Sequence, residues 1–209
     1  SMSDFSTTKS QFHLPKGIIY LDGNSLGPLP QKAQDRIQHT LNYEWGEMLV
    51  TGWNKAGWMD QPNKVGDRIA KLIGATSKTV TVGDTLSIKV FQALASATNY
   101  QMNRKVLLTD SSNFPSDIYA AQGLVNMLQS DYQVKIVSTD DLIDNINENV
   151  AAVFFTEVDY KTGRRYDAKK IIKAAKQNGS LVILDLAHSA GAIDTNLTEL
   201  EVDLAVGCT

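Results

Sequence analysis

Leu181-Val-Ile-Leu-Asp-Leu-Ala-His-Ser-Ala-Gly-Ala-Ile-Asp194 is the stretch on which the fold turns. Its four branched apolar residues in a row read as a central β-strand covered on both faces. Asp185 stands where that strand would end, and an ionised side chain in such a place must have a partner. His188 and Gly191 follow, so the chain leaves the strand through a tight loop that offers an imidazole and a flexible backbone. The bland alternative is an aspartate that caps a loop and a histidine satisfied in the core. Evidence for choosing between them lies in the flanking sequence.

Upstream, a helix from Asp167 to Asn178 ends at Gly179, after strand Ala151–Thr156 and a polar loop. Before these come a strand at Val134–Val137 with a helix opened by Thr139-Asp140, and a strand at Val106–Thr109 leading through Asp110-Ser-Ser-Asn-Phe-Pro-Ser-Asp117 into a helix to about Gln129. Earlier still, Thr79-Val-Thr-Val82 reads as a strand, followed by Gly83-Asp-Thr-Leu-Ser87 and a helix with the stripe Leu86, Val90, Ala93, Leu94 and Ala97. Downstream, Leu204–Gly207 is the last strand. Strands separated by helices imply crossover connections, hence an α/β fold with a mostly parallel sheet and helices on both faces. Ligands of such sheets bind beyond the carboxyl ends of the strands, where Thr85, Ser87, Phe114 to Asp117, Thr156, Asp185 and His188 all fall.

The N-terminal part is less regular. Gly17–Leu21 reads as a short strand running into Asp22-Gly-Asn-Ser-Leu-Gly27. From Pro30, the apolar residues Ala33, Ile37, Leu41, Trp45 and Met48 define one amphipathic helix through Val50. Thr51-Gly-Trp-Asn-Lys-Ala-Gly-Trp58 has no helical period, and its tryptophans are either core anchors or a stacking surface for a flat ligand. A helix over about Asn63–Leu72 ends at Gly74. Ser1 before Met2 reads as a cloning remnant.

Composition narrows the partners. A net charge of −3, with Lys and Arg scattered, disfavours nucleic acid and anionic membranes and favours a small-molecule ligand. A single cysteine, Cys208, excludes an internal disulfide and fits a reducing cytoplasm, and three dispersed histidines do not spell a metal site. There is neither an export leader nor an apolar run approaching ~20 residues, so membrane spanning is not expected.

Gly83-Asp-Thr-Leu-Ser87 opens a helix whose free N–H groups and two hydroxyls can cradle a phosphate, although it matches neither the P-loop nor the dinucleotide fingerprint. Phe114 can stack on a ring, and a buried Asp185 can keep a pyridine nitrogen protonated, which is what makes pyridoxal 5'-phosphate an electron sink. Phosphate cup, ring stack and pyridinium partner are parts of one site.

Tyr20-Leu-Asp-Gly-Asn-Ser-Leu-Gly27, Gly52-Trp-Asn-Lys-Ala-Gly-Trp58, Asn113-Phe-Pro-Ser-Asp117 and Leu184-Asp-Leu-Ala-His188 together resemble the kynureninase family, fold-type-I pyridoxal-phosphate enzymes related to the class V aminotransferases. The resemblance implies hydrolysis of L-kynurenine to anthranilate and L-alanine in tryptophan breakdown, by a homodimer. It implies Leu86 and Ser87 at the phosphate, Phe114 on the cofactor ring, Ser116, Asp117 and Thr156 close to the cofactor, Asp185 on the pyridine nitrogen with His188 beside it, and Ser25 and Trp53 along the substrate wall. It also implies an N-terminal arm, helix and substrate loop over 1–60 and a cofactor-binding large domain over 61–209. The family's Schiff-base lysine lies just past the strand that here runs into Gly207-Cys-Thr209, and neither Lys89 nor Lys161 matches its place. The large domain is therefore expected to be incomplete and the 209-residue chain alone inactive. Alternatives are another class V lyase or desulfurase, and a non-catalytic folded fragment.

Overall fold

The computed structural model describes residues 4–128 and 131–208, and the chain forms two compact units, Ser1–Pro62 and Asn63–Thr209. The expected end of a helix at Gln129, the Ser1-Met2 start and Thr209 lie outside the described residues.

The second unit is built on five strands: β3 (Val106–Asp110), β4 (Gln133–Val137), β5 (Val150–Thr156), β6 (Leu181–Asp185) and β7 (Leu204–Val206). They form one sheet in the order β4-β3-β5-β6-β7, every pair parallel. Helices α4 (Gln61–Leu72) and α5 (Leu86–Tyr100) precede the sheet, and α6 (Pro115–Leu128), α7 (Ala168–Gln177) and α8 (Leu197–Leu200) lie in its connections. Because successive strand residues face opposite ways, the sheet feeds two cores. Leu107, Ala152, Phe154 and Ile183 pack on Val90, Leu94 and Ala97 of α5 and on Ala121 and Leu124 of α6. Leu108, Val153, Phe155, Val182 and Leu184 pack on Ile171, Ile172 and Ala175 of α7. Helices therefore cover both faces, and β5 and β6 are apolar up to their last residues, Thr156 and Asp185, because neither face meets water.

The first unit holds α1 (Ser6–Lys9), a two-residue antiparallel pair of β1 (Phe12–His13) with β2 (Leu29–Pro30), α2 (Gln31–His39) and α3 (Gly52–Lys55). Here the structure corrects the sequence reading. Gly17–Leu21 is not a strand, and Ile19 and Leu21 are almost fully exposed. The single helix through Val50 is instead α2, a π-helical stretch at Thr40–Trp45 and a 3-10 turn at Leu49–Thr51. The widening coincides with Glu44, the buried residue of the π stretch, whose carboxylate takes hydrogen bonds from Arg36 and from the Trp58 indole. The tryptophan segment carries short helical turns, α3 and a 3-10 turn at Trp58–Asp60.

Two further corrections concern the second unit. Thr79–Val82 pairs with no strand among the described residues, although Val80 packs against the core. The helix expected from Thr139 is a single 3-10 turn at Ile143–Asn145, because Ser138, Asp141 and Asn145 tie the backbone locally by side-chain hydrogen bonds.

Candidate active site

Alternation along β6 turns Ile183 to one face and Leu184 to the other, and the strand ends on Asp185, 3% exposed. One oxygen of its carboxylate, Oδ1, accepts the Ala187 N–H at 2.7 Å; the other, Oδ2, is buried and takes no donor's hydrogen bond among the described residues. Thr156 ends β5 directly opposite Asp185 in register, and its buried Oγ1 also lacks a partner. Two unsatisfied polar atoms on neighbouring strand ends are costly, and they mark a place built to receive polar groups.

Asp117 comes from the first turn of α6 and reaches the same place, 2% exposed, with its carboxyl in contact with that of Asp185. Burial, then the neighbouring Asp185 charge, pushes the Asp117 carboxyl up to about 8. Burial raises Asp185 as well, against the Ala187 N–H and the Asp117 hydrogen bond that favour its charge. Ser116 Oγ lies 3.4 Å from Asp117 Oδ1. Among the described residues neither carboxyl has a salt bridge.

Phe114, just before α6, packs edge-on against Tyr160 at 4.9 Å and against His188 at 5.9 Å between ring centroids. His188 Nδ1 lies 3.1 Å from the Val158 carbonyl, an acceptor, so the proton is assigned to Nδ1 and Nε2 is left as the free nitrogen. Tyr160 was not singled out from the sequence, since a tyrosine in a polar loop carries no periodic signal. Behind this wall, Asp110 at the end of β3 accepts from Ser112 N–H, Thr139 Oγ1 and Tyr166 Oη, which braces the loop leading to Phe114.

The start of α5 contributes Leu86 and Ser87, with Thr85 as N-cap accepting from Ile88 N–H. A cavity of about 750 Å³ is lined by Thr85 and Leu86, by Leu186 beyond β6 and by Val206, Gly207 and Cys208 at the end of β7; Ser87 is not part of its lining. The remaining two expected residues belong to the first unit. Ser25 Oγ donates to Asp22 Oδ1 at 2.7 Å, inside the turn that Tyr20 Oη closes on the Leu26 carbonyl. The two tryptophans divide the roles weighed for them. Trp58 donates to Glu44 and lies over Gly52, where a Cβ would come within 3.1 Å of its ring, whereas Trp53 meets it edge-on and stays 51% exposed.

The profile of the family described as Aminotransferase class-V matches residues 19–208, and the chain belongs to that family, whose cofactor is pyridoxal 5'-phosphate. Within it, the chain is 43% identical over 206 residues to a kynureninase of Burkholderia mallei and 44% identical over 206 residues to a kynureninase of Pseudomonas fluorescens. Each alignment covers 96% of this chain and 50% of the relative, so the chain spans about half the length of the curated relatives it matches. Solved structures of the same fold include a NifS-like protein, with a TM-score of 0.74 and 15% identity over 90% of this chain and 54% of that one. Another is the apo cysteine desulfurase from Thermococcus onnurineus, with a TM-score of 0.76 and 18% identity over 99% of this chain and 53% of that one.

Proposed function

We propose that the complete protein hydrolyses the Cβ–Cγ bond of L-kynurenine to anthranilate and L-alanine with pyridoxal 5'-phosphate, as a cytoplasmic homodimer. The observation that carries this reading is the buried, unpartnered Oδ2 of Asp185 in a chain 43% identical to kynureninases. A carboxylate oxygen with no donor suits a protonated ring nitrogen, which is the group the cofactor would bring. When bound, pyridoxal phosphate supplies an electron sink for the bond to be broken.

The residues of this chain do the rest. Asp185 holds the proton at the ring nitrogen. Phe114 covers the ring, held edge-on by Tyr160 and His188. The free N–H groups at the start of α5, with the hydroxyl of Ser87, take the phosphate. Thr156 Oγ1, buried and without a partner among the described residues, would donate to the cofactor, and Ser116 steadies Asp117. His188, fixed through Nδ1, presents Nε2 to the site. Ser25 and Trp53 are assigned to the substrate wall on the motif resemblance alone.

The test is to incubate the complete protein and pyridoxal phosphate with L-kynurenine, following anthranilate and alanine, and in parallel with L-cysteine, following sulfide. Stoichiometric anthranilate and alanine support the reading; sulfide without anthranilate replaces it with a desulfurase.

A further inference from the structure

Asp117 and Asp185 form a buried carboxyl pair that no Lys or Arg among the described residues balances. Their side chains touch, both are almost fully buried, and among the described residues no Lys or Arg pairs with either. The groups that face them can be named element by element: Ser116 from α6, Thr156 from β5, the Ala187 N–H and His188 from the loop after β6, and Cys208 after β7. Of these only His188 can carry positive charge; its Nδ1 is tied to the Val158 carbonyl, and its pull on Asp117 is outweighed by burial and the Asp185 charge. Two ionised carboxylates in contact, out of water and without a paired Lys or Arg, repel strongly, and the ordinary resolution is that the pair keeps one proton.

We propose that in the cofactor-free protein Asp117 and Asp185 share one proton, and that a protonated ring nitrogen arriving at Asp185 drives that proton into solvent, so that cofactor binding is coupled to proton release. The inference rests on the cofactor reading given above. The balance is simple. Before binding, the pair holds one proton and one negative charge, and the incoming ring nitrogen holds its own proton. Afterwards both carboxylates are ionised around one N–H⁺, and one proton has left. Asp117 acts through Asp185 and is a positioning residue.

The magnitude follows from the starting point. Burial and the Asp185 charge push the Asp117 carboxyl up to about 8. A positive charge within about 4–6 Å lowers a carboxyl pKa by about 1–3 units, which brings it to neutrality or below. Affinity for the cofactor should therefore gain roughly tenfold or more between about pH 6 and about pH 8 from this pair alone. Asp117→Asn keeps a hydrogen-bond donor toward Asp185 but has no proton to release.

The experiment is calorimetric titration of the complete, cofactor-free protein with pyridoxal phosphate near pH 7, in two buffers of different ionisation enthalpy. The wild type should release up to about one proton more per cofactor than Asp117→Asn, and its affinity should climb with pH more steeply. Titration of the cofactor itself is common to both proteins and cancels. Equal proton release by both proteins, with both still binding, overturns the coupling and leaves the cofactor reading intact. Failure of the wild type to bind at any pH overturns the cofactor reading and this inference with it. If Asp117→Asn does not fold, an analogue with carbon in place of the ring nitrogen decides the matter on the wild type. Less proton release with the analogue supports the proposal, and equal release overturns it.

Discussion

Asp185 is the residue whose position most constrains the chemistry, because a carboxylate oxygen is buried there with nothing to receive. Losing a charged hydrogen bond and the electronic effect behind it should lower turnover of Asp185→Ala in the complete enzyme by roughly a hundredfold or more at saturating cofactor. Near-normal turnover would make Asp185 a structural residue. The tryptophans give the complementary comparison. Trp53 is half exposed, so Trp53→His should move the melting temperature by only about 1–2 °C, while efficiency on kynurenine falls roughly tenfold and the gap to the 3-hydroxylated substrate narrows. Trp58→Ala removes a donor from buried Glu44 and the cover over Gly52, and should cost about 2 kcal/mol of stability. Steady-state kinetics on both substrates, with melting curves, separate the two outcomes. A large loss of stability in Trp53→His with an unchanged substrate ratio would assign Trp53 to the core. Asp185 was legible in the sequence because a carboxylate closing an apolar run is conspicuous. Its contact with Asp117 was not, since that contact joins residues 68 positions apart through the packing of α6 on the sheet.

At the scale of elements, strands β3 to β7 and helices α5 and α7 formed where the sequence placed them. The single helix through Val50, the helix opened by Thr139 and the strand at Thr79–Val82 did not. Val90, Leu94 and Ala97 of the stripe read along α5 are buried as drawn, because a helix makes its hydrogen bonds within itself and needs only one apolar face covered. Thr79–Val82 has the alternation of a strand and an inward-packed Val80, but a strand exists only when a neighbour supplies the ladder. Its placement is instead fixed by close packing. A Cβ on Gly66 of α4 would lie 1.9 Å from the Val80 carbonyl oxygen. Gly66→Ala should therefore force α4 and this segment apart and destabilise by at least about 1–3 kcal/mol, measured by chemical denaturation. A neutral or stabilising effect would show that the approach is loose.

At the scale of the whole molecule, stability should depend on pH from both sides. Asp67 is held below the usual carboxylate range by the Lys78 N–H and the Ser77 hydroxyl. Burial pushes Asp159 up, but the backbone N–H groups of Thr162 and Lys161 outweigh it and leave it low. Both contribute stability above the unfolded value of about 4 that disappears as pH falls through their folded values. Asp117 has the opposite sign. Its proton is bound in the folded chain and absent from the unfolded chain between about 4 and about 8, so its contribution is complete below that window and is lost as pH rises through it. The melting temperature of the cofactor-free complete protein should therefore pass through a maximum on the acid side of neutrality and decline toward pH about 8. A melting temperature that rises steadily over that range would contradict the protonated Asp117. The sequence by itself determined the parallel α/β architecture, the two-faced burial of the strands and the strand-end positions of Thr156 and Asp185, because hydrophobic period and turn chemistry are local properties of the chain. Only the tertiary structure decided that Thr79–Val82 pairs with no strand among the described residues, that Trp58 anchors while Trp53 is exposed, that Tyr160 joins Phe114 and His188, and that Asp117 meets Asp185. Each of these depends on which distant atoms share one volume, and no local pattern records that.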